Sequence, residues 1–106
     1  MAKARDRLRE PEARILALRI AAGRPNREAE TAYIKDHVPD YITLTPEDMK
    51  PSNTRGREPM WRQIVGNVIS HKPSSTSIFT KGYAERLPDG IRVTDAGVAY
   101  LASLGF

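Results

Sequence analysis

The 106-residue sequence predicts a single α+β domain that is mostly α-helical, and three observations support that fold class. Apolar residues recur at helical spacing in four segments. A Pro-Asp-Gly turn at 88–90 separates two short β-like segments, as in a hairpin. The length suits one hydrophobic core, with no room for a separate catalytic domain. We expect residues 10–106 to form the domain and residues 1–9 to be a flexible or helical N-terminal extension.

Two helices are predicted in the first half of the chain. The first covers residues 10–23, where Gly23 suits a C-terminal stop. The second covers residues 26–38, where Asn26 is a good N-cap residue and Pro39 ends the helix. Both segments carry apolar residues three or four positions apart, so each helix has one face for the core.

A third helix is the most distinctive segment of the sequence. A short β-like stretch at 41–44 and a turn capped by Thr45 precede it, and we expect it to cover residues 58–72. Its apolar residues have helical spacing and predict a core stripe. That stripe consists of Trp61, Ile64, Val65, Val68 and Ile69.

The opposite face of this helix is polar and contains no carboxylate. Its residues are Arg62, Gln63, Gly66, Asn67, Ser70 and His71. Arginine, glutamine and asparagine are the side chains that make paired hydrogen bonds to guanine and adenine edges. Gly66 costs about 1 kcal/mol of helix stability relative to alanine, which either a packing partner or the close approach of DNA would explain. The alternative is an ordinary solvated face.

The charge distribution favours an anionic partner. The chain has a net charge of +4 and a pI of about 9.7. No aspartate or glutamate lies between Glu58 and Glu85, whereas Arg62, Lys72 and Lys81 lie within that window. Since carboxylates repel phosphates at short range, this window predicts a surface that faces nucleic acid.

A β-hairpin and a last helix follow the third helix. Residues 83–87 alternate in polarity, the turn at 88–90 reverses the chain, and residues 91–93 form the return strand. Thr94 then caps the last helix. The order helix, helix, short strand, helix, hairpin, helix predicts a winged helix-turn-helix, in which the third helix enters the major groove and the hairpin, at 78–94, forms the wing.

Several segments resemble the winged-helix domains attached to bacterial restriction proteins, such as the N-terminal domain of Mrr-type proteins. The similarity is carried by "LTPED" at 44–48, by Trp61 at the start of the third helix and by "GIRVTDAG" at 90–97. The "NVISH" end of the third helix is similar to wing domains paired with nucleases that cut methylated DNA. The resemblance implies a double-stranded DNA partner, N6-methyladenine recognition, and a fused or separate nuclease domain.

The predicted DNA contacts extend beyond the third helix into the loop and the wing. Hydroxyls, lysines and backbone amides are typical phosphate contacts, although serine-rich loops are often only solvated surface. The full set is Arg57, Arg62, Gln63, Gly66, Asn67, Ser70, His71, Lys72, Ser74, Ser75, Thr76, Lys81, Tyr83 and Arg86. For Trp61 two roles stay open, as a core residue or as the wall of a modified-base pocket. Arg86 could instead pair with Glu85 or Asp89.

We expect no catalytic centre, metal site or cofactor. The chain has no cysteine, and its two histidines have no carboxylate at ligand spacing. Pro39-Asp40 and Asp48-Met49-Lys50 mimic a metal-dependent nuclease signature, but Asp48 falls at a predicted helix start and not on a strand.

The sequence also leads to expectations about the localisation of the protein and about its class of function. The sequence has no secretory signal and no apolar run long enough to span a membrane, so a cytoplasmic protein is expected. The alternatives to a DNA reader are a transcriptional regulator and a protein–protein adaptor, because winged helices serve both purposes.

Overall fold

A computed structural model describes residues 7–51, 58–70 and 74–106 of the chain. In these residues four α-helices pack around one small antiparallel sheet. The helices are α1 (Glu10–Ala22), α2 (Thr31–His37), α3 (Met60–Ile69) and α4 (Asp95–Ser103). The strands are β1 (Glu28–Glu30), β2 (Ala84–Leu87) and β3 (Gly90–Val93). The predicted α+β class is therefore confirmed, with much more helix than strand.

Helix α1 is the centre of the packing. It begins with Pro11 in its first turn and ends at Ala22, with Gly23 as its C-cap, as predicted to within one residue. It contacts α2, α3, α4 and β3. Six of its side chains are buried in the core: Ala13, Leu16, Ala17, Leu18, Ile20 and Ala21.

The segment predicted as a second helix over 26–38 is in fact a turn, a strand and a shorter helix. Asn26 is not an N-cap, since it and Arg27 have a φ of 58° in a tight turn. Strand β1 follows, with Ala29 buried opposite Ile91 of β3, and α2 begins only at Thr31. Pairing with β3 overrides the helix propensity of these residues. The stretch 41–44 forms no strand.

The three strands form a sheet in the order β1-β3-β2, with both neighbouring pairs antiparallel. The predicted hairpin is confirmed, because Leu87 pairs with Gly90 across the two residues Pro88 and Asp89. A Cβ at Gly90 would overlap the backbone of Ala29, so only glycine allows β1 and β3 to pair at this point. On the exposed face, a hydrogen bond to Glu28 raises the pKa of the Arg92 guanidinium.

The N-terminal boundary of the packed domain differs from the prediction. Leu8, which lies in the expected extension, is 1% exposed, and its backbone N–H donates to the carboxylate of Asp48. Asp48 is equally buried and also accepts from Thr45, whose hydroxyl in turn accepts from the Asp48 N–H at 3.2 Å. The predicted Thr45 cap is thus confirmed, and the carboxylate fastens Leu8 to the turn that precedes α3.

The ends of the last two helices are well defined. Ser70 leaves the helical conformation with a ψ of 154°, so α3 ends at Ile69 and is shorter than the predicted 58–72. Thr94 caps α4 as predicted, because its hydroxyl accepts from the Gly97 N–H at 3.0 Å. A Cβ at Gly97 would overlap the carbonyl oxygen of Tyr83, so this glycine allows α4 to lie directly on the hairpin. None of the helices in the described part of the chain is long and apolar enough to cross a membrane.

Candidate nucleic-acid interface

The polar face of α3 forms one wall of a groove of about 560 Å³. Four of its predicted contact residues lie together there: Gln63, Gly66, Asn67 and Ser70. Helix α2 contributes Thr31 and Lys35, and the hairpin contributes Arg86 and Asp89. The hairpin tip is held at α2 because the Thr31 N–H donates to the Asp89 carbonyl at 2.8 Å. The predicted recognition helix and wing are therefore neighbours across one open groove.

A second, smaller hollow connects the end of α3 with the hydroxyl-rich loop at 74–77. It measures about 220 Å³ and is lined by Asn67 and Ser70 of α3, by Ser74 and Thr76, and by the charged pair Glu10 and Arg14 of α1. The hydroxyls of Ser74 and Thr76 lie 3.0 Å apart and bond to each other. Asn67 and Ser70 consequently belong to both hollows, whereas Ser75, also predicted as a contact, is exposed outside them.

Arg62 does not lie on an acid-free surface. Its guanidinium forms an ion pair with Asp36 of α2 at 3.0 Å and lies 5.1 Å from the centre of the Trp61 ring. The window between Glu58 and Glu85 is free of acids in the sequence, but α2 brings a carboxylate to it in space. The inference from that window to an acid-free face is therefore wrong at Arg62.

Gly66 has a packing partner within the protein. A Cβ at this position would lie 3.2 Å from both Cε and Nζ of Lys35. The Lys35 ammonium reaches Glu58, at 3.0 Å, and the two side chains are only 12% and 21% exposed. Of the two explanations for the glycine, the packing partner is present in the structure, since Lys35 passes over the site where a side chain would be.

Arg86 has a fixed position at the edge of the groove. Its Nη1 donates to the carbonyl of Ile69 at 3.1 Å, which satisfies one of the free carbonyls at the end of α3. Of the two partners considered from the sequence, Glu85 lies 3.5 Å from Arg92 instead, and Asp89 forms no ion pair with Arg86 in the described part of the chain. Arg86 is therefore an exposed cation that is anchored at the end of α3.

The remaining residues of the hairpin region are placed differently from the prediction. Tyr83 is half-buried and its ring stacks on Tyr100 of α4, with the centroids 4.3 Å apart. One face of this ring is thus unavailable to DNA. Lys81 is exposed on the turn before β2 and lines neither hollow.

Trp61 is a core residue. Its side chain is 4% exposed and lines neither of the two hollows beside α3. Its indole N–H is buried and has no hydrogen-bond partner in the part of the chain that the structure describes. The packing of this side chain agrees with the first of the two predicted roles and gives no support to a base pocket.

Three predicted contacts, Arg57, His71 and Lys72, lie outside the described residues. The described residues carry twelve basic and twelve acidic side chains, so their formal charges cancel. The net charge of +4 therefore belongs entirely to residues 1–6, 52–57 and 71–73.

Sequence reasoning missed Thr31, Lys35 and Asp89 as groove residues. They come from α2 and from the tip of the hairpin, and nothing in the sequence shows that these elements meet at α3. The one available signal was Gly66, because a glycine inside a helix indicates the close approach of another group.

The buried carboxylate of the nuclease-like motif has structural hydrogen-bond partners. Asp48 is 1% exposed and its oxygens accept hydrogen bonds from Leu8 and Thr45. Contrary to the expectation for the histidines, Nδ1 of His37 lies 2.8 Å from a carboxylate oxygen of Asp40. No group of three or more metal-ligating side chains is found among the described residues.

Comparisons of the chain with protein-family models, with curated proteins and with solved structures find no significant match.

Proposed function

We propose that this chain binds double-stranded DNA through the solvent face of α3, in the manner of a winged helix. The observation that carries the proposal is the groove in which Gln63, Asn67 and Ser70 face Arg86. Amide and hydroxyl side chains make direct contacts to base edges, and arginine binds phosphate. An α-helix fits the major groove of DNA, and in a winged helix the hairpin after the recognition helix forms the wing.

The arrangement of the elements supports the same proposal. The short strand lies before α2 and not before α3, so the order is helix, strand, helix, helix, hairpin, helix. This change does not alter the succession of α3 and the hairpin along the chain, on which the winged-helix interpretation depends. The two elements are linked directly, since Arg86 of β2 donates to Ile69 of α3.

A role as the reader module of a restriction or phage-defence system rests on the resemblance in sequence. The residues that carry this resemblance have structural roles here. Thr45 and Asp48 close the "LTPED" turn by mutual hydrogen bonds. Trp61 is buried, and Thr94 caps α4. The resemblance therefore supports the fold more than the recognition of N6-methyladenine, which stays a prediction, as does a nuclease partner.

The proposal is tested by measuring the affinity for a labelled random-sequence duplex as the salt concentration rises. The logarithm of the affinity should fall linearly, because each neutralised phosphate releases counterions. Arg86→Gln should weaken binding and flatten the slope by roughly one. Arg27→Gln is the matched control, since it removes the same charge from an ion pair with Asp95 outside the groove. Absent or salt-insensitive binding would refute the proposal.

A protein–protein adaptor is the second candidate, and an exposed aromatic cluster favours it. The Arg19 guanidinium lies between the rings of Phe106 and Tyr41, 3.9 Å and 4.9 Å from their centres. Both rings are substantially exposed, as is Leu104. Exposed aromatic and arginine side chains are enriched at protein interfaces. The same titration separates the candidates, because an adaptor shows no salt-dependent affinity for duplex DNA.

A further inference from the structure

The structure distinguishes one side chain on the polar face of α3 from the others. The guanidinium of Arg62 is paired with Asp36, and the hydroxyl of Ser70 donates to the Asn67 backbone carbonyl at 2.9 Å. Gln63 is half-buried in the wall of the groove. Asn67 is exposed, and its side-chain amide makes no hydrogen bond to any residue that the structure describes.

The position of Asn67 also suits contact with a ligand that lies along α3. It lines both the groove beside the hairpin and the hollow beside the hydroxyl-rich loop, so it lies at the ridge between them. Its backbone carbonyl is held by Ser70, which keeps the last turn of α3 in place. A ligand that occupies either hollow therefore meets this amide.

The chemistry of the amide specifies the base. An asparagine side chain has one acceptor and one pair of donor hydrogens. Adenine presents the complementary pair in the major groove, an N6 amino donor and an N7 acceptor. Guanine presents two acceptors, cytosine one donor, and thymine one acceptor beside its methyl group, so none of these three bases is matched at both atoms.

We propose that Asn67 is the specificity-determining residue of the interface and that it selects an adenine in the major groove. This inference rests on the proposed DNA-binding function and adds the base class to it. Arg86, anchored at Ile69, supplies a sequence-independent contact beside it. The adenine contact uses N6 and N7 and does not involve Trp61.

The first experiment is a pair of selections from a random duplex library, with the wild-type chain and with Asn67→Ala. The wild-type consensus should contain an adenine position that the variant loses while other positions persist. Affinity for the wild-type consensus should fall on the order of tenfold in the variant. Asn67→Ala keeps the helix, because alanine has the higher helix propensity. Ser103→Ala is the control, because Ser103 is exposed at the end of α4 and lines neither hollow.

The second experiment replaces the selected adenine by 7-deazaadenine, which lacks the N7 acceptor and keeps its base pair. The replacement should weaken binding of the wild-type chain about as much as Asn67→Ala does. It should have no further effect on the variant, because the contact is already lost.

The outcomes separate this inference from the proposed function. Identical consensus sequences, or an equal effect of 7-deazaadenine on both proteins, overturn the role of Asn67 and leave DNA binding intact. Salt-dependent binding without any adenine preference does the same. Absence of duplex binding by the wild-type chain overturns both.

Discussion

Gly66→Ala decides whether Lys35 is the reason for a glycine in the middle of α3. Alanine stabilises a helix interior by about 1 kcal/mol relative to glycine. The added Cβ would lie 3.2 Å from Cε and Nζ of Lys35, whereas carbon atoms normally approach to about 3.5 Å. The end of Lys35 must therefore move by a few tenths of an ångström while it holds Glu58 at 3.0 Å.

The two effects of this substitution are similar in size. A largely exposed ion pair contributes about 0.2–1 kcal/mol, and the pair of Lys35 with Glu58 is less exposed than most. We therefore expect Gly66→Ala to leave the free energy of unfolding nearly unchanged in the wild-type chain. In a Lys35→Ala background the space is empty, and the full gain of about 1 kcal/mol should appear as a rise of roughly 4–8 °C in Tm.

The assay is thermal and urea denaturation of the four proteins of this double-mutant cycle. Gly23→Ala is the control, since a Cβ there meets no atom closer than 3.7 Å. An equal effect of Gly66→Ala in both backgrounds would refute the role assigned to Lys35. Because Lys35 already covers Gly66, duplex affinity should not change in Gly66→Ala. A clear loss of affinity would show that DNA, and not only Lys35, approaches this backbone.

Three further predictions concern the stability of the fold around the site and the contribution of one exposed lysine to DNA binding. Gly90→Ala should lower the free energy of unfolding by about 3 kcal/mol in urea denaturation, because its Cβ overlaps the backbone of β1. Asp48→Asn should cost about 2 kcal/mol, since the buried carboxylate that accepts from Leu8 loses its charge; an unchanged stability would contradict this. Lys81→Gln should weaken duplex binding more than Lys50→Gln, which removes a cation already paired with a carboxylate; equal effects would exclude Lys81 from the interface.

The parts of the fold that the sequence predicts correctly are those with a local cause. The hairpin depends on the turn at 88–90 and the start of α4 on the cap at Thr94, and both signals lie within a few residues of the structure they determine. Strand β1 has no such signal. Glu28, Ala29 and Glu30 favour a helix, and only the distant partner β3 makes them a strand.

In the candidate site, too, the features with a local cause could be predicted from the sequence and the tertiary contacts could not. The polar face of α3 follows from helical spacing, and Gln63, Gly66, Asn67 and Ser70 of that face line one groove in the structure. The contacts of that face with α2 depend on tertiary packing. Asp36 and Lys35 reach α3 from another helix, so the order of residues along the chain could not show these two contacts.

On the proposed function, the charge distribution gives affinity and specificity different sources. The residues described by the structure have no net charge, and the excess of +4 lies in residues 1–6, 52–57 and 71–73. The last two of these segments immediately precede and follow the part of the chain that contains α3. Phosphate attraction scales with the number of cations, whereas base selection depends on matched hydrogen bonds. On the proposed function, matched hydrogen bonds at Asn67 therefore determine which sequence is bound, and the salt dependence reports Arg86 together with the basic side chains of the flanking segments.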